Sequence, residues 1–88
     1  MKPTKEEHKA IDKLRQITDL GLASSLLSYG IELWALDDSN SNRVVFNFKW
    51  NDQIDELIER YWSGSLQVDA RTMHENERML KTRIRSVK

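Results

Sequence analysis

Few side chains in this sequence could do covalent chemistry. The histidines are His8, in a charged N-terminal segment, and His74, early in the last predicted helix, and no nucleophile motif accompanies either one. The chain has no cysteine, which excludes disulfides and thiolate metal sites, and two distant histidines cannot form a structural zinc site. The three glycines are isolated, which argues against a glycine-rich phosphate loop. We therefore expect a protein that is not an enzyme, with no catalytic residue, no cofactor and no small-molecule ligand.

Carboxylates recur in one short segment, as Asp52, Asp55, Glu56 and Glu59. Three of the four lie along one edge of a predicted helix, and the segment lacks the loop glycine of a calcium-binding hand. We interpret them as a solvated helix edge and predict no metal site.

Basic side chains dominate the end of the chain. Residues 71–88 hold six Lys or Arg against two Glu, and helical spacing gathers most of the basic ones into a stripe roughly 100° wide. Such a stripe could follow a phosphate backbone. Basic residues also favour the C-terminal end of a helix for its dipole alone, or could pair with the acidic edge, and zero net charge favours these explanations. The candidate residues for binding nucleic acid or another partner are Arg71, Arg78, Lys81, Arg83 and Arg85.

Tryptophans are the other candidate binding residues. Trp50 and Trp62 are predicted to cap a thin core, with an exposed binding surface as the alternative, and for Trp34 we weigh the two equally. Strand alternation places Trp34 and Val45 on the sheet face opposite the predicted core, so these two residues are the candidate interface. The partner would be another protein or a second copy of the chain in a homodimer.

Two strands are predicted from alternating apolar and polar residues at 31–36 and 43–49. The polar segment 37–42 between them predicts a long hairpin loop. Two strands alone are marginally stable, so we expect a third strand from this chain or from a partner. One register puts the large apolar residues on a single face. Its pairs are Ile31–Phe48, Leu33–Phe46 and Ala35–Val44.

The first helix is predicted over residues 19–29, with Thr18 as its cap and Gly30 as its stop. One strip of this helix carries only small side chains. We predict that the strip faces solvent; the alternative is close approach to another element or to a second chain. Its residues are Gly21, Ser24, Ser25 and Ser28.

Two more helices follow the strands. The earlier one is capped by Asn51 or Asp52 and stops at Gly64, and the later one is capped by Asp69 and runs to about residue 85. The inward side of the earlier helix is predicted to be Ile54, Leu57, Ile58 and Tyr61. The apolar side of the later helix is predicted to be Met73, Leu80, Ile84 and Val87.

The chain of 88 residues is the length of one small domain. Residues 1–16 are nearly all polar and are predicted to be an arm or a short helix, with the domain over residues 17–88. No apolar run approaches the roughly 20 residues of a membrane span, and no signal-peptide core is visible. We expect a cytoplasmic protein that does not contact membranes.

Several short patterns occur in order and at natural spacings over residues 17–85. Together they resemble a small uncharacterised bacterial family known only as a domain of unknown function. The resemblance implies a compact domain of mixed helices and strands, and it implies no activity, substrate, cofactor or residue role. The patterns are Thr18-Asp19-Leu20, Leu22-Ala23, Leu26-Leu27, Gly30, Arg43-Val-Val-Phe46, Phe48, Glu56-Leu57-Ile58, Tyr61-Trp62, Gly64, Val68-Asp69, Arg71 and Leu80-Lys81.

We predict an α+β domain in which an antiparallel β-hairpin packs against helices, in the order helix, strand, strand, helix, helix, with an optional helix before them. Its expected function is non-catalytic binding, by protein interaction or self-association through the Trp34 face and the edges of the sheet. The alternative is a nucleic-acid-binding accessory protein that uses the last helix.

Overall fold

The computed structural model describes residues 13–40 and 43–86. In that part of the chain, three strands and three helices alternate in the order β1, α1, β2, β3, α2, α3. The α+β class and the hairpin packed on helices are therefore confirmed. The elements are β1 Leu14–Ile17, α1 Leu20–Tyr29, β2 Leu33–Asn40, β3 Arg43–Lys49, α2 Ile54–Ser63 and α3 Ala70–Ser86.

The third strand of the sheet comes from this chain. Leu14–Ile17 pairs antiparallel with β3, which also pairs antiparallel with β2, so the spatial order is β1-β3-β2. A short helix or a polar arm was predicted to reach residue 16, and residues 14–16 are instead part of β1 because β3 supplies their backbone partners. Ile17 lies opposite Phe46 and is buried, which anchors the strand to the core. Residues 1–12, and with them His8, lie outside the described residues.

The register of the β2–β3 hairpin differs from the predicted one. Leu33 lies opposite Phe48, and Leu36 lies opposite Phe46. The irregularity between Leu33 and Ala35 inserts one extra residue into β2, as a β-bulge does. Because of this insertion, two apolar residues three positions apart both pack on the core, which strict alternation cannot achieve. Residues 37–40 of the predicted loop are instead part of β2, which continues to Asn40, and residues 41–42 lie outside the described residues.

Helix ends follow from single residues. Gly30 and Gly64 end α1 and α2 with φ of 109° and 79°, a left-handed conformation that costs glycine little, so both predicted stops are confirmed. Asp69 caps α3 as predicted, because its Oδ2 accepts a 2.9 Å hydrogen bond from the Thr72 N–H. The cap of α1 is Asp19 rather than Thr18.

The start of α2 also differs from the prediction. Gln53 is the cap residue, and its side chain makes no capping bond. Asn51 instead accepts a 2.9 Å hydrogen bond from the Gln53 N–H, so it shapes the turn before the helix.

The strip of small residues on α1 is an interface between helices, which overturns the predicted solvent exposure. Ser24 and Ser25 are 0% and 3% exposed. The Ser25 hydroxyl lies 3.4 Å from the Met73 sulfur of α3, and a Cβ on Gly21 would lie 2.5 Å from the Tyr61 hydroxyl of α2. Small side chains are needed here because both neighbouring helices approach closely. The serine hydroxyls bond to carbonyls one turn earlier, which satisfies them without water.

All three helices pack on one face of the sheet. That face presents Phe46 and Phe48, which are 2% and 0% exposed. Most of the predicted inward residues of α2 and α3 are confirmed: Ile54, Leu57 and Leu80 are buried, and Ile58, Tyr61 and Ile84 pack against them. Met73 is half-buried and contacts Ser25 of α1 rather than this cluster. Val87 lies outside the described residues. The core is Ile17, Leu22, Ala23, Leu26, Ile31, Phe46, Phe48, Ile54, Leu57 and Leu80.

Candidate functional site

The sheet has a second face, here called the outer face, which no described helix covers. Residues whose side chains point away from Phe46 and Phe48 line it, and about half of it is apolar. The bulge in β2 matters here because it puts Trp34 and Ala35 together where a regular strand would put one residue. The outer face comprises Leu14, Gln16, Trp34, Ala35, Asp37, Arg43, Val45, Asn47 and Lys49.

Trp34 is the most prominent side chain of the outer face, with 50% of its surface exposed. Lys49 extends across it, with its Nζ 5.3 Å from the centre of the indole ring. The same Nζ lies 3.1 Å from Glu32 Oε2, and the Lys49 N–H donates a 3.0 Å hydrogen bond to the Glu32 carbonyl. The backbone bond puts Glu32 beside Lys49, and the ion pair with Glu32 holds the ammonium near the ring. Val45, the second predicted interface residue, is half-buried on the same face.

Trp50 was predicted to cap the core and is instead 40% exposed. It follows the last residue of β3, and its N–H donates a 3.0 Å hydrogen bond to the Lys13 carbonyl. The Nζ of Lys13 lies 4.9 Å from the centre of the Trp50 ring. The predicted core position is therefore wrong, and this end of β3 is open to solvent.

Trp62 was also predicted to be in the core, and it is 63% exposed. It lies one position past Tyr61, which moves it about 100° around α2 from the buried stripe. Its ring packs edge-on against Tyr61, with ring centres 4.9 Å apart and planes at 84°. Beside it, Ile58 and Glu59 line a shallow, open depression on the outside of α2. The other lining residues are Glu56, Arg60 and Ser63.

The basic residues of α3 are all exposed, as predicted for a binding surface or a solvated one. Arg71 lies 3.8 Å from Glu75 and Lys81 lies 3.3 Å from Glu77, both within α3. Helical spacing aligns four of them and puts Arg83 on the opposite flank, about 200° from Lys81. Arg78, Arg83 and Arg85 have no carboxylate within ion-pair distance among the described residues. The aligned set, called the basic stripe below, is Arg71, Arg78, Lys81 and Arg85.

The acidic edge of α2 is exposed, as predicted, and it does not pair with α3. Asp55 lies 3.7 Å from Arg15 of β1. No ion pair joins α2 to α3 in the described part of the chain. Within residues 43–86, the structure therefore shows no pairing of the basic residues of α3 with the acidic edge.

The titrating groups with shifted pKa values have structural explanations. Burial raises the pKa of Tyr61, and the Asp19 carboxylate, 3.5 Å from its hydroxyl, raises this pKa further. Asp19 is the cap of α1, so the pair links two helices rather than forming a reaction centre. His74 is exposed. Among residues 13–40 and 43–86, no three His, Asp or Glu side chains are grouped so that they could hold a metal ion.

Asp69 provides a prediction on pH. The Thr72 N–H and then the Thr72 hydroxyl, each 2.9 Å from Oδ2, lower the pKa of Asp69 below its ordinary value of 3.8. Because the folded pKa lies below the unfolded one, the cap stabilises the fold above pH 3.8, and this stability is lost as the pH falls through the folded pKa. We expect Thr72→Val to raise the pKa of Asp69 part of the way to 3.8, since the stronger backbone bond remains.

The measurement is a carboxyl carbon NMR titration of the folded protein. Thr82→Val is the matched control, because Thr82 is on the same helix and bonds to the Arg78 carbonyl instead. A native pKa for Asp69 at or above 3.8 would show that the capping bonds do not form in solution.

Sequence patterns identified Trp34 and Val45, but not the residues that hold Trp34 in place. Strand alternation also puts Glu32 and Lys49 on the side of Trp34, and their opposite charges are the signal that they could pair beside the indole. The exposure of Trp62, with Ile58 and Glu59 beside it, had no comparable signal.

Comparison with known proteins places the chain without assigning an activity. Residues 12–86 match the profile of a family described as a domain of unknown function (DUF5659). No curated protein and no solved structure matches. None of the helices that the structure describes is both long and apolar enough to cross a membrane.

Proposed function

The chain belongs to the DUF5659 family, a domain of unknown function, and we propose that it is a non-catalytic protein-interaction module whose contact surface is the outer face of the sheet. The observation that carries this proposal is the arrangement at Trp34. A large aromatic side chain is half exposed, yet a charged pair fixes the cation that lies over it.

Preorganisation is what makes this arrangement suitable for binding. Ordering a mobile side chain costs free energy when a partner docks, and this cost is smaller when Lys49 is already held by Glu32. Tryptophan is among the residues most often responsible for interface affinity, especially with apolar neighbours around it. Ala35 and Val45 provide such neighbours, and charged residues form the rim.

The face of the sheet is better suited to docking than its edges. The outer edge strands are β1, which has four residues, and β2, whose pairing with β3 is irregular at two places. Short strands and bulges are features that discourage a further strand from adding to a sheet. We therefore assign the contact to side chains of the outer face and not to backbone pairing.

The proposal predicts that Trp34→Ala weakens binding roughly thirtyfold, the effect of losing a central interface residue. Protein fragments would be selected by display on the immobilised wild-type domain, and each would then be measured against Trp34→Ala. Trp62→Ala is the matched control, because it removes an equally large exposed ring from a different surface. Its affinities should stay within about threefold of wild type, a free-energy change of under about 1 kcal/mol.

Two results would contradict the proposal. One is a selection that yields no binder to the wild-type domain. The other is a set of binders whose affinity is the same for Trp34→Ala as for wild type.

The basic stripe supports a second candidate function, nucleic-acid binding. Arg78 and Arg85 are exposed and have no carboxylate partner among the described residues, so their charges are available for phosphates. Zero net charge gives no long-range attraction to nucleic acid, so this candidate ranks second. The charge variants of the next section test it as well.

A further inference from the structure

The exposed charges of α2 are mainly negative, with Arg60 as its one basic residue, whereas those of α3 are mainly positive, with Glu75 and Glu77 paired inside the helix. The chain has 14 basic and 14 acidic residues, so it is neutral overall. The exposed carboxylates Glu56 and Glu59 are on α2, whereas the exposed guanidinium groups Arg78 and Arg85 are on α3. The ion pairs of α3 stay within α3, and none reaches α2 in the part of the chain that the structure describes. Among residues 13–40 and 43–86, each surface therefore has a complement that it does not contact.

The acidic surface also carries an aromatic anchor. Trp62 is three residues from Glu59 and four from Ile58, so the three side chains are neighbours on one flank of α2. The Trp62 ring packs against Tyr61, and the Tyr61 hydroxyl lies 3.5 Å from Asp19 of α1. These contacts hold the ring in place, and 63% of Trp62 remains exposed. Arg60 and Ser63 line the same depression, so it carries two carboxylates against one guanidinium group. We call the part of it that consists of Glu56, Ile58, Glu59 and Trp62 the Trp62 face.

We propose that the Trp62 face of one copy binds the basic stripe of α3 in a second copy. A guanidinium group of the stripe would lie over the Trp62 ring, where the electron-rich face attracts a cation. Glu56 and Glu59 would accept its hydrogen bonds, and the aliphatic part of the arginine would lie against Ile58. Apolar, aromatic and charged contacts would thus act together in one shallow depression.

We assign a second copy of the chain to the Trp62 face because the chain itself carries the complementary surface, the basic stripe. The interface joins two different surfaces, so each copy can donate one and accept on the other. Such head-to-tail contacts produce rings or open chains rather than a two-fold dimer. Exposed charge pairs are weak and screened by salt, so the assembly should form at low ionic strength and dissociate as salt rises. This inference does not depend on the outer face, which uses other residues.

Light scattering measures the association directly. At about 20 mM salt the wild-type protein should have an average mass above its 10.4 kDa monomer, and at about 0.5 M salt it should return to the monomer. Trp62→Ala should weaken the association about tenfold, as expected for an anchor residue. Trp34→Ala is the control, because it removes a similar ring from the outer face, and its association should match that of wild type.

Charge exchange between two variants provides the decisive comparison. Glu56→Lys with Glu59→Lys makes both surfaces basic, and Arg78→Glu with Arg85→Glu makes both acidic, so each variant alone should be monomeric at low salt. An equimolar mixture should associate, because every contact is then between opposite charges. All four positions are exposed, so both variants should keep the fold.

The outcomes are distinct. A wild-type protein that stays monomeric at low salt would overturn the inference, and so would a mixture of the two variants that does not associate. If wild type is monomeric but binds duplex DNA, and Arg78→Glu with Arg85→Glu abolishes that binding, the stripe binds nucleic acid instead. Loss of association in Trp34→Ala but not in Trp62→Ala would place self-association on the outer face and overturn the Trp62 contact.

Discussion

Replacing Phe48 with alanine is expected to lower the free energy of unfolding by about 3–5 kcal/mol. Phe48 is fully buried in the central strand, opposite Leu33 on one side and Arg15 on the other. The truncation removes apolar burial and leaves a cavity between the sheet and the helices. An 88-residue domain has roughly 4–13 kcal/mol of stability in total, so this variant should be near its unfolding limit at room temperature. Urea denaturation followed by circular dichroism gives the change.

Trp34→Ala is the control for this prediction. It removes a larger side chain from the same sheet, but from the outer face, where half of the ring is already in water. We expect it to cost less than Phe48→Ala, since half of Trp34 is already exposed and its removal leaves no cavity in the core. If both variants lose the same stability, the two faces are not distinguished in solution as they are in the structure.

Replacing Leu80 with alanine is expected to cost about 2–5 kcal/mol and to lower the melting temperature by roughly 10 °C or more. Leu80 is the only fully buried side chain among the 17 residues of α3. The helix otherwise meets its neighbours through half-buried residues such as Met73 and Ile84, so a single side chain provides much of its attachment. Loss of this contact should loosen α3 before the rest of the domain, which hydrogen exchange along α3 would show.

Met79→Ala is the matched control for Leu80→Ala. Met79 is the preceding residue on α3 and is 38% exposed. Its removal should change stability by less than about 0.5 kcal/mol, as for most surface substitutions. Equal effects of the two variants would mean that α3 does not dock by the face assigned to it.

The parts of the fold that were predictable depend on short-range rules. Strand β3 matches its predicted range, residues 43–49, because its alternation is regular. Gly30 and Gly64 end their helices for a reason that lies within one residue, the cost of a left-handed backbone. The inward stripe of α2 follows from helical spacing alone.

Long-range pairing explains what the sequence did not reveal. Leu14 and Ile17 are three residues apart, a spacing that suits a helix, and only the presence of β3 beside them makes them a strand. The bulge in β2 likewise depends on β3, because Leu33 and Leu36 lie opposite Phe48 and Phe46, and this pairing needs one extra residue in β2. Neither feature has a local signature.

For the candidate surfaces too, local patterns were predictive and long-range packing was not. Periodicity gave the correct side for Trp34, but it could not show where the helical layer ends, so the exposure of Trp50 and Trp62 was missed. The small strip of α1 was predicted to be exposed, with close approach to another element as the alternative. It is buried because α2 and α3 approach it and the hydroxyls bond within the helix.

The most direct test of the proposed function uses the tryptophans as reporters of three separate places. The indole N–H of each gives one NMR signal, and Trp→Phe variants assign Trp34, Trp50 and Trp62. The tightest fragment selected on the wild-type domain is then added stepwise. We predict that the Trp34 signal and the amides of Ala35 and Val45 shift, while the Trp62 signal does not. A shift of the Trp62 signal or of the α3 amides, with Trp34 unchanged, would contradict the assignment of the outer face as the contact surface.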